Sequence, residues 1–335
     1  MKMKTIFLCQ NPSTFENVYA PSVIEKLREM TTLDETIYQK ADVLASPDKF
    51  AHVEAIFSTW GMPSLTEQEI KTCFPNLKCV FYAAGSVQGF ARPFLDGGVK
   101  VFSAWAANAV PVAEYTVAQI VLAGKDFYCQ TKLLSQKRRD LAVARHGKHM
   151  GNYQKKIGLI GCGMIGSLVA EMLKSYDLEV LAYDPFMSAE KAERLGVTPC
   201  SLDELFASCS VVSNHLANNP QTQRMLTYQH FSSMPPYGTF INTGRGAQVV
   251  EEDLVRALTE REDLTAVLDV TWPEPSPLDH PFYTLPNCFM TPHIAGSLGG
   301  EVVRMAEYMV AECQNYINGT PCKYEVTPEM LATMA

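Results

Sequence analysis

Short apolar runs alternate with amphipathic stretches along most of the chain, and this alternation predicts two α/β regions. The first region covers about the first 105 residues, and the second begins near Lys156. We expect strands at residues 4–9, 35–39, 53–59, 79–83 and 99–103, and then at 156–160, 178–183, 211–215, 239–242, 266–269 and 288–290. We expect helices at 22–30, 66–73, 109–125, 167–176, 251–258 and 301–317.

A glycine pattern follows the first strand of the second region. Gly161, Gly163 and Gly166 form G-x-G-x-x-G between an apolar run and an amphipathic stretch. In such a unit the first glycine permits a tight turn, the second lets the backbone approach a pyrophosphate, and the third allows close packing. The amides of Met164 and Ile165, at the helix N-terminus, would face that anion. The pattern therefore predicts a dinucleotide-binding turn; the alternative is a tight turn in another kind of doubly wound protein.

An acidic residue ends the next predicted strand. Asp184 lies 23 residues after Gly161, close to the spacing of about 20 at which an acid hydrogen-bonds a ribose 2′-hydroxyl. Because a carboxylate there repels a 2′-phosphate, we expect NAD rather than NADP. The motif lies in the middle of the chain, so a second domain must fold before it or around it.

Composition and charge narrow the class of protein. The chain has 335 residues, 47% of them hydrophobic, which is enough for two domains with full cores. A net charge of −8 argues against a nucleic-acid partner. The first apolar run is too short for a signal peptide, and polar residues and Pro111 interrupt segment 104–124, so we expect no membrane span. Ten cysteines without metal-ligand spacing favour a reducing, cytoplasmic compartment and no metal site.

A basic stretch at residues 132–156 carries eight lysines and arginines against one aspartate. We interpret it as a solvated helix and loop. An arm that lies over a partner subunit is the alternative.

Four polar residues follow the predicted strands of the second region, where ligands of open α/β sheets bind. They are Arg245, Asp269, Glu274 and His293. An imidazole can supply the proton that reduction of a carbonyl requires, and a neighbouring carboxylate orients the imidazole and favours its charged form. A guanidinium can bind a substrate carboxylate with two hydrogen bonds. Asp269 could accept a hydrogen bond from a nicotinamide carboxamide.

Each of these four residues also has a structural interpretation. A histidine at a strand end can be structural, and an arginine there can form a surface ion pair. An aspartate at that position can cap the next helix, and an acid between prolines can be a solvated loop charge. The common placement of all four residues at strand ends favours chemistry.

The sequence resembles the D-isomer-specific 2-hydroxyacid dehydrogenases over roughly residues 79–318. The motifs that carry the resemblance are AAGSVQGF (83–90), NAVPVAEYTVA (108–118), GLIGCGMIG (158–166), VVSNHLANNPQTQRML (211–226), INTGRGAQVVEEDLVRAL (241–258), DVTWPEP (269–275) and TPHIAGS (291–297).

The resemblance implies roles for individual residues. Arg245, Glu274 and His293 would be the catalytic residues, with His293 as the acid and base. The substrate, a small 2-keto acid or D-2-hydroxy acid, would bind through Arg245 and the backbone amides of the 84–87 loop, which includes Ala84, Gly85 and Ser86. The cofactor contacts would come from Gly161, Gly163, Met164, Ile165, Gly166, Asp184, His215, Thr243 and Asp269.

The resemblance also implies an architecture of two doubly wound parallel sheets. A Rossmann NAD-binding domain, residues 108–296, would be inserted into a flavodoxin-like substrate domain made of residues 1–107 and 297–335. Members are usually homodimers joined through the cofactor domain, so we expect a homodimer. The long C-terminal extension of many phosphoglycerate dehydrogenases is not expected here.

Two loops depart from the family pattern. The usual H-x-P-x-T reads His215-Leu216-Ala217-Asn218-Asn219, and the usual G-V-D reads Gly85-Ser86-Val87. Formate dehydrogenases place a glutamine where this chain has Glu274, which argues against formate as substrate. Phosphite oxidation and an NAD(H)-sensing corepressor remain the alternatives, because relatives with either function keep the three catalytic residues.

Overall fold

The computed structural model describes residues 2–146, 148 and 151–332. The chain divides into two compact units, Met1–Ala109 with Ser297–Ala335 and Val110–Gly296. Positions 147, 149 and 150 of the predicted basic stretch lie outside the described residues, as do residues 1 and 333–335 of the predicted substrate domain.

The strands within the described residues are short, as expected for α/β units. They are β1 (Met3–Leu8), β2 (Thr31–Tyr38), β3 (Ala55–Ser58), β4 (Cys79–Tyr82), β5 (Lys100–Ser103), β6 (Lys155–Ile160), β7 (Leu178–Tyr183), β8 (Thr198–Pro199), β9 (Val211–Asn214), β10 (Thr239–Asn242), β11 (Thr265–Leu268), β12 (Cys288–Met290) and β13 (Glu325–Val326).

The helices connect these strands. They are α1 (Pro12–Val18), α2 (Pro21–Met30), α3 (Lys40–Ala45), α4 (Pro47–Phe50), α5 (Glu67–Cys73), α6 (Ala91–Asp96), α7 (Trp105–Ala123), α8 (Phe127–Ser135), α9 (Arg139–His146), α10 (Met164–Leu173), α11 (Ala189–Leu195), α12 (Leu202–Ser208), α13 (Tyr228–Ser233), α14 (Glu251–Glu260) and α15 (Glu301–Asn318), with short 3₁₀ turns at Gly246–Gln248, Pro281–Tyr283 and Met330–Ala332.

The first unit is built on a six-stranded sheet with the order β13-β5-β4-β3-β1-β2. Strands β1 to β5 run parallel, and β13 pairs antiparallel with β5. All four residues of β3 and of β4 are buried, as expected where helices cover both faces of a sheet. Phe57, Phe81 and Phe102 stack in a row across three of these strands.

The second unit contains an all-parallel sheet with the order β12-β11-β10-β9-β6-β7-β8. The chain order reverses between β6 and β9, which creates the switch point where ligands bind in such sheets. The carboxyl ends of β6, β9, β10, β11 and β12 therefore share one edge of the sheet. The predicted α/β class with two mostly parallel sheets is confirmed.

Several element boundaries differ from the predictions. The helix expected at 167–176 begins three residues earlier, at Met164, because Gly163 takes the N-cap position without a side-chain cap. The helix expected at 109–125 spans Trp105–Ala123, and the boundary between the units falls within it. Strands β8 and β13 were not predicted; each has two residues, too few to show a periodic pattern.

Helix α7 is long and apolar enough to cross a membrane by length and composition alone. However, 56% of its apolar 18-residue window is buried inside the protein, so packing accounts for much of its apolar surface. A buried core helix passes the same test.

Candidate active site

The glycine turn lies between β6 and α10. Gly161 has φ of +85°, a conformation that side chains rarely adopt, and a Cβ there would lie 3.0 Å from the His215 carbonyl oxygen. A Cβ on Gly166 would lie 2.0 Å from the Gly161 carbonyl oxygen, so the third glycine permits the close packing of helix and turn. A Cβ on Gly163 would have no neighbour within 4 Å. This exposed position leaves room for a phosphate at the start of the helix, next to Met164 and Ile165.

Asp184 follows β7 directly and is hydrogen-bonded to the glycine turn. Its Oδ2 accepts from the Cys162 amide at 2.8 Å, and its Oδ1 accepts from the Phe186 amide at 2.9 Å. The Cys162 carbonyl oxygen accepts from Lys191 Nζ at 2.6 Å and from Ser167 Oγ at 2.8 Å. These bonds fix the turn in place. The open helix N-terminus beside a half-buried carboxylate fits the pyrophosphate and ribose of a dinucleotide.

The strands beside β6 contribute His215 and Thr243. His215 follows β9 and is 9% exposed, and burial lowers its pKa to about 4, so the ring is neutral at physiological pH. Its Nε2 lies 3.0 Å from Ser213 Oγ. Thr243 follows β10, and its hydroxyl lies 3.1 Å from that of Thr116. Both residues thus lie at the expected edge, and their contacts with the cofactor stay predictions.

Hydrogen bonds stabilise the 215–219 loop, although it lacks the proline and threonine of the family pattern. Asn219 Oδ1 accepts from the amides of Gln221 and Thr222, and Thr222 Oγ1 donates to the Ala217 carbonyl. Gln248 Nε2 donates to the carbonyls of Leu216 and Ala217 at 2.7 and 3.0 Å. A different set of hydrogen bonds therefore stabilises this loop.

His293 and Glu274 form a hydrogen-bonded pair. His293 Nδ1 lies 2.8 Å from Glu274 Oε1, and both side chains are partly exposed. His293 adopts a φ of +55°, which is uncommon for a residue with a side chain. Its amide donates to the carbonyl of Asp269 at 3.0 Å. The imidazole and the carboxylate therefore have the geometry that acid–base chemistry requires.

Asp269 holds the segment that carries His293. Its buried carboxylate accepts from Thr291 Oγ1 at 2.6 Å and from the amides of Ile294 and Ala295 at 2.8 and 2.9 Å. These three bonds occupy much of its capacity as an acceptor. The contact of Asp269 with the nicotinamide stays a prediction. In the structure, Asp269 positions the 291–295 segment.

Arg245 follows β10 and is half-buried. Its Nη1 donates to the Gly244 carbonyl at 2.8 Å, and its amide donates to Gln248 Oε1 at 3.2 Å. Burial lowers the pKa of the guanidinium, and the charge of Glu274 opposes this shift. Among the described residues, no carboxylate lies within ion-pair distance of it. An accessible guanidinium without an acidic partner is suited to binding a substrate carboxylate.

The predicted substrate loop lies in the first unit. The carbonyls of Ala84 and Gly85 accept from Ser103 Oγ at 2.8 and 2.7 Å. The Ala84 amide donates to the Tyr82 carbonyl at 2.9 Å, and its contact with a substrate stays a prediction. For the amides of Gly85, Ser86 and Val87, no hydrogen bond is found within the described part of the chain. Their role in substrate binding stays a prediction.

Two features of the site were not predicted from the sequence. Gln248 is fully buried and links the loops after β9 and β10. Glu251 bonds the loop that carries Glu274. Gln248 lies within the motif at 241–258, but no periodicity in the sequence predicts its contacts. No group of three or more metal-ligating side chains occurs in the residues described.

Comparisons with known proteins identify the family of the second unit. Residues 123–295, just over half of the chain, match the family model described as "D-isomer specific 2-hydroxyacid dehydrogenase, NAD binding domain". The match includes the glycine turn, Asp184 and the three proposed catalytic residues. NAD is therefore the cofactor that this domain is built to bind.

Curated relatives and solved structures extend the comparison. A D-3-phosphoglycerate dehydrogenase of Archaeoglobus fulgidus is 29% identical over 78% of this chain and 49% of its own length. A formate dehydrogenase of Neurospora crassa is 31% identical over 70% of this chain and 64% of its own length. The chain thus spans about half to two thirds of these relatives.

A solved structure supports the fold over nearly the whole length. The D-mandelate dehydrogenase of Rhodotorula graminis aligns with 96% of this chain and 97% of its own, with a TM-score of 0.83 and 17% identity. That likeness shows a common fold alone. Together with the match of residues 123–295, these findings show that the chain belongs to the D-isomer specific 2-hydroxyacid dehydrogenase family.

Proposed function

We propose that this protein is an NAD-dependent oxidoreductase that interconverts small 2-keto acids and D-2-hydroxy acids. The observation that carries the proposal is the hydrogen bond of 2.8 Å between His293 Nδ1 and Glu274 Oε1. This pair lies in the unit that contains the glycine turn and Arg245. An acid–base pair, an unpaired guanidinium and a dinucleotide turn are the groups that carbonyl reduction requires.

The residues divide the chemistry between them. A bound NADH supplies the hydride that reduces the carbonyl carbon. His293 protonates the carbonyl oxygen as negative charge develops on it, and removes the same proton in the oxidation direction. Glu274 accepts a hydrogen bond from Nδ1–H of the ring and stays ionised, so Nε2 is the atom that exchanges a proton with the substrate. The carboxylate also stabilises the imidazolium.

Arg245 has a different role, because it carries a fixed charge. Its guanidinium would bind the carboxylate of the substrate with two hydrogen bonds and polarise the adjacent carbonyl. Burial favours this role, because a partly desolvated cation attracts an anion more strongly than a fully hydrated one.

A substrate panel tests the proposal. Small 2-keto acids are added to the protein with NADH or with NADPH, and the loss of absorbance of the reduced cofactor is followed. We expect oxidation of NADH with at least one keto acid and a preference over NADPH. Tight NADH binding without turnover of any keto acid would favour the sensor function instead.

Formate and phosphite, each added with NAD⁺, serve as further arms of the panel. Because Glu274 hydrogen-bonds His293 and is not the glutamine of formate dehydrogenases, we expect no formate oxidation. Turnover of phosphite but of no keto acid would assign the alternative dehydrogenase activity.

We also propose a cytoplasmic homodimer joined through the second unit. Helices α8 and α9 carry the exposed apolar side chains Phe127, Leu134 and Val143. Arg145, near the end of α9, forms a largely buried ion pair at 2.6 Å with Asp126, the N-cap residue of α8, and its Nη2 donates to the Asp263 carbonyl at 3.1 Å. These contacts join α9 to α8 and to the loop before β11. Exposed apolar side chains on an anchored helix pair fit a subunit contact. Light scattering of L134E/V143E should show a monomer, and an unchanged mass would contradict this contact.

A further inference from the structure

A second carboxylate–imidazole pair lies close to the proposed catalytic pair in the sequence. Glu251 is the first residue of α14, and its side chain is 8% exposed. Its Oε2 lies 3.3 Å from Nε2 of His280, a side chain that is 18% exposed. Its Oε1 accepts from the Trp272 amide at 2.8 Å. One carboxylate therefore contacts both ends of the 272–280 segment.

The segment between these contacts has irregular structure. It contains no helix or strand, and most of its residues are exposed, Glu274 among them. Just before the segment, a Cβ on Gly246 would lie 2.1 Å from the Thr271 backbone, so the backbone of Thr271 packs closely against Gly246. At the start of the segment, Thr271 Oγ1 donates to the Pro273 carbonyl at 3.1 Å, and the contacts of Trp272 and His280 with Glu251 fix its two ends.

The hydrogen bonds of His280 fix its tautomer. Its Nδ1 accepts from the Phe282 amide at 3.3 Å, at the start of the following 3₁₀ turn. The ring packs on Phe282, which belongs to the core of the second unit. In the neutral ring the proton must therefore be on Nε2, where it is donated to Glu251. His280 thus ties the loop to the core through Phe282 and to α14 through Glu251.

We propose that Glu251 and His280 are positioning residues that hold Glu274 in place to orient His293. The inference rests on the proposed function, in which the Glu274–His293 pair moves the proton. Glu251 and His280 themselves touch neither of these two side chains in the described hydrogen bonds and ion pairs. Their effect on the reaction is exerted through the backbone of the loop.

Glu251 changes its protonation near neutral pH. The pKa of Glu251 is raised to about 7, mainly by burial; the hydrogen bond from the Trp272 amide lowers it, and the charge of the neighbouring Glu252 raises it. The other titratable groups that face Glu251 are His280 and the buried thiol of Cys288 on β12. A protonated carboxyl cannot accept from both the Trp272 amide and the His280 ring, because one of its oxygens becomes a donor. The loop is therefore held best above about pH 7.

Two substitutions of His280 separate positioning from general stability. H280N keeps an acceptor for the Phe282 amide, since Asn is a good N-cap, but it loses the donor to Glu251. H280Q places an amide donor where Nε2 was and loses the N-cap acceptor. We expect kcat to fall about tenfold or more in H280N and to stay within about twofold of wild type in H280Q. The KM for NADH should not change in either variant.

Hydrogen exchange gives a readout that does not depend on turnover. Pro273 and Pro275 have no amide, so a peptide covering 270–276 reports mainly on Trp272 and its neighbours. We expect faster exchange in H280N and wild-type exchange in H280Q. Titration of Glu251 should make the kcat of the wild type change between pH 6 and 8. This contribution should be absent in E251Q, which cannot ionise at that position.

The outcomes distinguish a failure of the proposed function from a failure of the positioning role of Glu251 and His280. A wild-type protein that reduces no keto acid would contradict the proposed function, whereas the exchange experiment would still test the loop anchor. Wild-type kcat and exchange in H280N would overturn the inference. A kcat that follows the melting temperature in both variants would overturn it too, because it would assign His280 a structural role only.

Discussion

The glycine turn offers a prediction in which two similar substitutions should affect different properties, stability for G166A and cofactor affinity for G163A. In G166A the new Cβ would lie 2.0 Å from the Gly161 carbonyl oxygen, about 1.4 Å closer than an ordinary contact allows. Both partners belong to backbone, so neither can rotate away. Overpacking of this kind costs about 1–3 kcal/mol. In a unit of this size, that lowers the melting temperature by about 2–4 °C per kcal/mol.

G163A is the matched control, because its Cβ meets nothing within 4 Å. We expect its melting temperature without cofactor to equal that of wild type. Its Kd for NADH, measured by fluorescence titration, should rise at least tenfold, because the methyl group occupies the space where the pyrophosphate approaches the backbone. A wild-type melting temperature for G166A would refute the packing argument. Wild-type NADH affinity for G163A would refute the assignment of the phosphate position.

Three further predictions concern charge. R245K keeps the positive charge but loses the planar pair of hydrogen-bond donors. The KM for the keto acid should therefore rise at least tenfold, and the Kd for NADH should not change. An unchanged KM would exclude the contact between Arg245 and the substrate carboxylate. D184N should raise the kcat/KM ratio of NADPH to NADH at least tenfold, because the charge that repels a 2′-phosphate is gone. Glu251 keeps its proton up to about pH 7 in the folded protein but loses it near pH 4.5 in the unfolded chain. The free energy of unfolding should therefore fall by up to about 3 kcal/mol as the pH rises from about 4.5 to about 7. Urea titrations should show a flatter pH dependence for E251Q.

The parts of the fold that were predictable from sequence are those whose signals are local. The run from β6 through the glycine turn to Asp184 is contiguous, and each step has its own pattern of apolar and small residues. The turn therefore forms where it was expected. The start of α10 was placed three residues late, because a glycine N-cap gives no side-chain signal.

Contacts between distant segments were harder to predict. Glu251 meets His280 29 positions later, and Gln248 meets Leu216 32 positions earlier. No periodicity encodes such pairs, since their distance depends on how the strands are ordered.

The most direct test of the account is the turnover of H293N beside that of wild type, with NADH and the keto acids of the panel. Asn fills a similar space but cannot donate and then regain a proton at neutral pH. General acid–base groups contribute about 10²- to 10⁴-fold, so we expect kcat to fall by at least about 100-fold with an unchanged Kd for NADH. A kcat near that of wild type would contradict the assignment of His293 as the residue that transfers the proton.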